Sequence, residues 1–280
     1  MWLSVLGPLC VCGENGEVTI AAGKQRAVLA ALLVRANRVV SFDEFAEDVW
    51  DGAPPRAARA TLRNYVKSLR RDLGPDIGER IITREPGYLI QLVEGELDTL
   101  RVRALCARGG AAIRAEDWQL ASEVLTTALD LWRGVPLADI PSESLCEQAR
   151  PSLERLRLQA AEWRVEADLR LGRHADLVLE LQALTAEHPL RERFHAQLML
   201  ALYRSGRAAE ALAAFEVARR TLAEQLGVSP GPDLRRLHER ILRADAGLAF
   251  AAAVERHACV ARHGRLSRRP LRCPGLLSRT

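Results

Sequence analysis

The sequence predicts a mainly α-helical protein with a small amount of β-structure, divided into two domains and a short tail. The chain has 280 residues, which is enough for about two domains of ordinary size. Hydrophobic residues make up 48% and aromatic residues only 5%, a composition that favours packed helices. Short alternating apolar runs end near residue 93, and helical periodicity continues from there to about residue 245.

Composition excludes several classes of protein. The longest apolar run, residues 27–34, is far shorter than the roughly 20 residues that cross a bilayer as a helix. No positive charge precedes the apolar residues 2–12, which contain a Gly-Pro pair, so we expect no secretory signal and a cytoplasmic protein. The six cysteines are scattered without a CxxC pair, which predicts free thiols, no disulfide and no zinc.

The first predicted domain, residues 1–93, opens with short antiparallel strands. Residues 2–6 and 18–20 alternate between apolar and other side chains, and turn-forming residues separate them. From Lys24 to Arg38 the apolar side chains recur at helical spacing. The domain is therefore expected to begin with a small sheet followed by a first helix.

A capping box marks the start of a second helix. Ser41 is followed three residues later by Glu44, the arrangement in which each side chain bonds the backbone N–H of the other. Pro54 and Pro55 cannot continue this helix, but proline is accepted in the first turn of a new one. A third helix is therefore expected to start near Arg56.

The third helix is predicted to separate an apolar face from a basic face. At 100° per residue, the apolar face consists of Leu62, Val66, Leu69 and Leu73. Residues 56–71 hold six cationic side chains and no acidic one. Such a compact positive surface is typical of a protein that binds a polyanion.

A β-hairpin follows the third helix. Residues 81–84 and 87–90 are strand-like and flank a Glu-Pro turn, with Thr83 and Arg84 beside the tip. Strands, three helices and a terminal hairpin form the layout of a winged helix-turn-helix domain. In such a domain one helix enters the major groove of DNA and the hairpin reaches toward the adjacent minor groove.

We expect the third helix to contact DNA along its polar face. Asn64 and Ser68 are short polar side chains at the centre of that face and are the candidates for base edges. Arg56 and Arg59 lie near the helix start and are the candidates for phosphate contacts. The complete set predicted for the recognition helix is Arg56, Arg59, Arg63, Asn64, Lys67, Ser68 and Arg71. The alternative interpretation is a solvated face, because any amphipathic helix exposes charges.

The second predicted domain, residues 94–247, is entirely helical. Arg-Leu-Gly-Arg at 170–173 and Arg-Ser-Gly-Arg at 204–207 are 34 residues apart in register, the period of tetratricopeptide helix-turn-helix repeats. Residues 118–132 resemble a more divergent helix of the same array. Residues 248–280 are basic and lose periodicity, which predicts a mostly disordered tail.

A series of short motifs occurs in a fixed order along the chain. They are Leu6-Gly7-Pro8, Gly23-Lys24-Gln25-Arg26, Trp50-Asp51-Gly52, Leu69-Arg70-Arg71-Asp72-Leu73-Gly74, Thr83-Arg84-Glu85-Pro86-Gly87-Tyr88, Gly95-Glu96-Leu97-Asp98, Leu131-Trp132-Arg133-Gly134 and Leu226-Gly227-Val228-Ser229-Pro230. Over about residues 1–245 this series resembles the Streptomyces antibiotic regulatory protein (SARP) family. The resemblance implies an OmpR-type winged-helix domain joined to a bacterial transcriptional activation domain of tetratricopeptide-like hairpins.

The resemblance also implies a function and partners. Proteins of this family activate promoters of antibiotic or other secondary-metabolite gene clusters, bind direct repeats in double-stranded DNA, and engage RNA polymerase with its sigma factor. Direct repeats imply that two protomers lie head-to-tail on the DNA. The chain resembles the small form of the family, so neither a sensor domain nor regulation through a phosphoacceptor receiver domain is expected.

Catalysis and protein scaffolding are the two alternative classes of function. The histidines form no HExxH motif, and neither a nucleophile motif nor a phosphate-binding GxxxxGK[ST] loop is present, so we expect no enzyme and no cofactor. His188 and His195 are expected at the surface or at a helix cap. The spacing of His257, Cys259, His263 and Cys273 fits no common metal site. The remaining alternative is a tetratricopeptide-type protein-interaction scaffold without specific DNA binding.

Overall fold

A computed structural model of the chain describes residues 2–13 and 16–250, and its architecture is mainly α-helical with two small sheets. The N-terminal elements are β1 (Trp2–Ser4), β2 (Cys10–Gly13), β3 (Gly16–Glu17), α1 (Gly23–Val34), β4 (Val40–Ser41), α2 (Phe42–Trp50), α3 (Ala58–Asp72), α4 (Gly74–Gly78), β5 (Ile81–Arg84) and β6 (Gly87–Ile90). The helical elements that follow are α5 (Asp98–Arg114), α6 (Trp118–Leu129), α7 (Glu143–Arg170), α8 (His174–Glu187), α9 (Glu192–Arg204), α10 (Ala208–Leu226) and α11 (Pro232–Leu242). A 3-10 turn at Ala246–Leu248 closes the described chain.

Two antiparallel sheets frame the N-terminal helices. One has the order β1-β2-β3, and the other has the order β4-β6-β5 with β6 in the middle. β5 and β6 form the predicted hairpin, with Arg84 opposite Gly87 at its tip. A Cβ atom at Gly87 would lie 1.9 Å from the carbonyl oxygen of Val40, so only glycine lets the hairpin pair this closely with β4.

The predicted second helix is confirmed together with its capping box. The Ser41 hydroxyl accepts a hydrogen bond from the Glu44 N–H at 3.2 Å, and the Glu44 carboxylate accepts one from the Ser41 N–H at 2.8 Å. The backbone hydrogen bond from Ser41 holds the pKa of the Glu44 carboxyl below its usual value. The start of α2 is therefore determined locally, by residues four positions apart or fewer.

The first helix ends earlier than the sequence predicts. It stops at Val34 rather than Arg38, and Asn37 adopts a left-handed backbone with φ 66°. The Asn37 side chain donates to the Leu92 carbonyl at 2.9 Å and accepts from the Leu92 N–H at 2.9 Å. This pairing with the chain beyond β6 replaces the last turn of the helix, and periodicity alone does not reveal it.

Other boundaries also differ from the prediction. The third strand lies at Gly16–Glu17, and residues 18–20 lie outside any strand, although the Val18 N–H donates to the carbonyl of the β2 residue Val11 at 2.8 Å. α3 begins at Ala58, so Arg56 lies in the turn before it. The short helix α4 was not predicted, because a Gly-Pro pair indicates a turn as readily as a helix start.

The helical part consists of paired helices joined by tight turns. α7 ends at Arg170 and α9 at Arg204, each followed by a glycine in the left-handed region, Gly172 at φ 86° and Gly206 at φ 77°. The 34-residue spacing therefore corresponds to two equivalent turns. The turn between α5 and α6 also has a left-handed residue, Glu116 at φ 56°, so its sequence lacks the glycine that the other two turns share.

The helical part extends further than predicted. Leu248, assigned from the sequence to the tail, is buried in the cluster formed by α7 to α11. Its carbonyl accepts a hydrogen bond from Arg204 at 2.9 Å, and Phe250 meets the ring of His174 at 4.9 Å. The part of the predicted tail from residue 251 onward lies outside the described residues.

One hydrophobic cluster contains side chains from both parts of the chain. The largest cluster of buried side chains includes residues of the segment before α7 and of its first turns, namely Leu137, Ile140, Leu145, Cys146 and Ala149. The Leu137 N–H donates to the carbonyls of Val5 at 3.1 Å and Gly7 at 2.8 Å. The helical part thus completes the core of the winged-helix part.

Candidate nucleic-acid interface

α3 presents one face to the core and the other to solvent. Leu62, Val66 and Leu69 are buried, as their i, i+4 and i+7 spacing predicts. The helix contains no acidic residue before Asp72, which is its last residue. Its outward face is therefore cationic over its first three turns.

Three side chains in the middle of this outward face have no acidic partner among the described residues. Arg63, Asn64 and Lys67 are exposed, and they form neither an ion pair nor a side-chain hydrogen bond in the described part of the chain. Arg56 is exposed in the turn ahead of the helix and is equally unpaired there. Cations without a carboxylate partner keep their charge available for phosphate groups.

Arg59 lies at the junction between α3 and α2. Its guanidinium carbon is 4.9 Å from the centroid of the Phe42 ring, a cation–π contact. Phe42 in turn packs edge-on against Tyr88 of β6, with ring centroids 5.9 Å apart. Arg59 is thus held beside the hairpin, in a place that suits a phosphate contact.

Ser68 and Arg71 are brought together, but both are bound to Asp72. The Ser68 hydroxyl donates to the Asp72 carboxylate at 3.0 Å, and the Arg71 Nε donates to it at 3.0 Å. Arg71 also donates to the Ser68 hydroxyl at 3.1 Å. Ser68 and Arg71 therefore differ from Asn64 and Lys67, because the polar groups of Ser68 and Arg71 already have partners within the last turns of α3.

The predicted wing residues lie at the tip of the β5–β6 hairpin. Thr83 and Arg84 are both exposed at the end of β5. Arg84 has no ion pair among the described residues, whereas the Thr83 hydroxyl accepts a hydrogen bond from Arg70 at 3.0 Å. The hairpin therefore presents one unpaired cation beside α3.

Arg70 attaches the hairpin to α3, a role that sequence reasoning missed. Its Nε and Nη2 donate to the carbonyl of Ile81 at 3.0 and 2.6 Å, and Nη2 also reaches Thr83. The guanidinium lies 6.0 Å from the centroid of the Tyr88 ring. In the sequence Arg70 is one of several cations on the helix. The one sign of its contact with the hairpin is its position next to Leu69, at the edge of the apolar face.

The other candidate sites have structural roles. The surface or capping position expected for His195 is wrong, because His195 is buried in α9 and its Nε2 lies 2.9 Å from the carbonyl oxygen of Pro189. His188 is the C-cap residue of α8. Within residues 2–13 and 16–250, no group of three or more His, Cys, Asp or Glu side chains is placed to hold a metal ion. The candidate set from His257 to Cys273 lies outside the described residues.

A cationic helix beside a hairpin with an exposed arginine at its tip is suited to duplex DNA. An α-helix fits the major groove, where base edges are distinguishable, while flanking cations neutralise phosphates. None of the helices in the described ranges is long and apolar enough to span a membrane.

Sequence comparisons identify both parts of the chain. Residues 16–90 match the family described as "Transcriptional regulatory protein, C terminal", and residues 97–242 match the "Bacterial transcriptional activator domain". The regulatory protein DnrI of Streptomyces peucetius is 38% identical over 256 residues, which cover 89% of this chain and 94% of DnrI. The chain belongs to the SARP family of transcriptional regulators.

Some of the similar proteins are longer than this chain. The regulatory protein AfsR of Streptomyces coelicolor is 42% identical over 275 residues, which are 98% of this chain and 27% of AfsR. The chain thus spans about a quarter of the length of AfsR. The solved structure "Mycobacterium tuberculosis EmbR in complex with low affinity phosphopeptide" superimposes with a TM-score of 0.83 at 36% identity, covering 87% of this chain and 65% of that one.

Proposed function

We propose that this SARP-family chain is a sequence-specific DNA-binding activator of an antibiotic or other secondary-metabolite gene cluster. The observation that supports the proposal most directly is the outward face of α3, on which Arg63, Asn64 and Lys67 have no partner among the described residues. Some exposed arginines elsewhere in the described chain pair with carboxylates, as Arg207 does with Glu210, and others such as Arg220 do not. What distinguishes α3 is that its unpaired cations follow one another on a helix face that has no acidic residue before Asp72. An unpaired cationic face beside a hairpin is what phosphate binding requires.

The proposed contacts divide by chemistry. Asn64 reads a base edge, since an amide can donate to and accept from adenine in the major groove. Arg56 and Arg59 bind phosphates at the start of the helix, and Arg84 binds the backbone from the hairpin. Ser68 joins Asn64 in reading bases, and Arg63, Lys67 and Arg71 serve bases or phosphates. For Ser68 and Arg71, DNA must compete with Asp72.

The proposed partners follow from the family. The printed description of the matching helical domain is a bacterial transcriptional activator domain, which supports engagement of RNA polymerase and its sigma factor. Binding to direct repeats places two protomers head-to-tail on one duplex, since repeats of the same orientation require the same protein face twice. The place of action is the chromosome. No catalytic role and no cofactor are proposed.

Salt-dependent binding to promoter fragments tests the proposal. A duplex is selected by footprinting on the promoters that neighbour the gene, and its affinity is measured against an unrelated duplex over a range of salt concentrations. Replacement of Asn64 by alanine is expected to cost about 1–3 kcal/mol on the selected duplex alone, the worth of one good base contact. Replacement of Arg59 by alanine is expected to weaken both duplexes similarly and to reduce the salt slope by about 0.9, the value for one phosphate contact.

A matched control removes the same charge as Arg59→Ala but at a different place on the surface. Arg220 on α10 is exposed and has no ion pair within the described ranges, so Arg220→Ala removes one positive charge outside the proposed interface and is expected to leave binding unchanged. Uniform loss on both duplexes from Asn64→Ala would remove Asn64 from the reading face. A wild-type chain that binds no duplex even at low salt would support the scaffold alternative instead.

A further inference from the structure

The turn between α2 and α3 contains the positions that lead into the proposed recognition helix. It begins with two consecutive left-handed residues, Asp51 at φ 50° and Gly52 at φ 76°. Its residues from Asp51 to Arg56 are exposed, and few backbone hydrogen bonds hold it, among them the Ala53 N–H to the Trp50 carbonyl at 3.0 Å. A turn of this kind has little internal stability, so an external contact decides its position.

Asp51 supplies that external contact. Its carboxylate oxygen Oδ1 accepts a hydrogen bond from the backbone N–H of Ser144 at 3.1 Å and one from the Ser142 hydroxyl at 3.3 Å. Ser142 is the N-cap of α7, and its hydroxyl oxygen accepts from the Leu145 N–H at 3.2 Å. The Asp51 carboxylate therefore lies at the positive end of the 28-residue helix α7, where a negative charge is favoured.

Neighbouring contacts hold α2 against the next turn of α7. Arg35 donates to both carboxylate oxygens of Asp48, at 2.6 and 3.2 Å, and reaches Gln148 of α7 at 3.2 Å. Asp48 is fully buried, and burial raises its pKa against the opposing effect of the Arg35 guanidinium. The C-terminal half of α2 and the turn after it are thus bound to the helical part of the chain.

We propose that Asp51 is a positioning residue for DNA binding, through which α7 of the helical domain sets the entry of the recognition helix α3. The inference rests on the proposed function. α3 starts at Ala58, seven residues beyond Asp51, and Arg56 lies in the intervening turn. If the turn is released from α7, Arg56 and the start of α3 are no longer held in position. The phosphate contact of Arg56 and the base contact of Asn64 are then both weakened.

The test compares three substitutions in the full chain. Asp51→Gly removes the carboxylate, while glycine accepts the left-handed backbone without strain. It is expected to lower affinity for the selected promoter duplex about tenfold, the effect of losing one hydrogen bond to a charged group. Asp51→Asn keeps an acceptor oxygen and tolerates the same backbone, so it is expected to retain most of the affinity. Ser144→Ala is the matched control, because it deletes a hydroxyl bonded to Glu47 but keeps the N–H that Asp51 accepts.

A double substitution separates positioning from stability. If Asp51 acts through the turn, Arg56→Ala costs less affinity in the Asp51→Gly background than in the wild type, since both changes disturb the same contact. Circular dichroism at the assay temperature confirms that each variant is folded. The inference would be overturned if Asp51→Gly binds the duplex with wild-type affinity, or if the losses of binding free energy from Asp51→Gly and Arg56→Ala add fully. Either result would leave the proposed function in place. Failure of the wild type itself to bind any duplex would overturn both.

Discussion

At the scale of single residues, the candidate site divides into side chains that the sequence predicts and side chains that only the structure reveals. Asn64 and Lys67 are predicted by helical periodicity, because the buried positions Leu62 and Val66 determine which face is exposed. The roles of Arg70 and Asp51 depend on backbone groups of Ile81 and Ser144, which lie 11 and 93 residues away along the chain. Local spacing contains no signal for such partners.

The buried side chain of His174 is expected to make the stability of the fold depend on pH. It is buried at the start of α8, and neither ring nitrogen has a hydrogen-bond partner among the described residues. Burial lowers its pKa below the usual 6.5, and the nearby Arg204 guanidinium acts in the same direction. The folded state therefore binds fewer protons than the unfolded state in weak acid, so stability is lost as the pH falls through the ordinary range of histidine.

We expect His174→Phe to raise the melting temperature and to reduce its dependence on pH between about 7 and 5, because an apolar ring needs no hydrogen bond and no longer titrates. Thermal unfolding followed by circular dichroism at several pH values measures both effects. His195→Gln is the comparison, since His195 is also buried but has the Pro189 carbonyl as a partner, and its loss is expected to destabilise at neutral pH. A variant at position 174 with the acid sensitivity of the wild type would contradict this account.

At the scale of elements, one turn is used repeatedly between paired helices. In each case the N–H of the residue after the left-handed position bonds a carbonyl five residues earlier: Asp117 to Ala112, Arg173 to Asp168, and Arg207 to Leu202. This is the hydrogen-bond pattern that ends a helix with a left-handed residue. Two of the three turns use glycine, and these two are the ones that the 34-residue spacing detected.

Substitutions at the left-handed residues of these turns are expected to change the free energy of unfolding in opposite directions. A Cβ atom at Gly206 would meet nothing within 4 Å, so Gly206→Ala is expected to cost about 1 kcal/mol from backbone strain alone. A Cβ atom at Gly172 would lie 2.7 Å from the Phe250 ring, so Gly172→Ala is expected to cost more. Glu116→Gly, by contrast, is expected to stabilise by about 0.5 kcal/mol because it removes strain. Chemical denaturation measures all three, and equal losses at the two glycines would contradict the role of Phe250.

At the scale of the whole molecule, the two family domains form one structural unit. The Asp98 carboxylate at the start of α5 accepts hydrogen bonds from the N–H groups of Val5 and Leu6 at 2.8 Å each. The segment before α7 contributes Leu137 to the core of the winged-helix part. We therefore expect the chain to unfold without a separate transition for the N-terminal part.

Leu137→Ala tests this expectation. Leu137 belongs to the second predicted domain but is fully buried in the first core, and its truncation is expected to cost about 2–5 kcal/mol. Hydrogen exchange should then show reduced protection in α1, which packs in the same cluster. Val135→Ala is the control, because Val135 lies two residues earlier with 60% exposure and is expected to change neither quantity. Unchanged protection in α1 would mean that the two parts are energetically separate.

The sequence by itself determined the class of fold, the start of α2, the faces of α3, the hairpin and the 34-residue repeat. All of these depend on residues close together in the chain, where periodicity, capping and turn chemistry act. Tertiary structure alone decided that α1 ends at Val34, that Arg70 binds the hairpin, that Asp51 meets α7 and that Leu137 completes the first core. These features are contacts between distant segments, and their geometry exists only after the chain has packed, because a side chain's partner is set by proximity in space rather than by spacing in sequence.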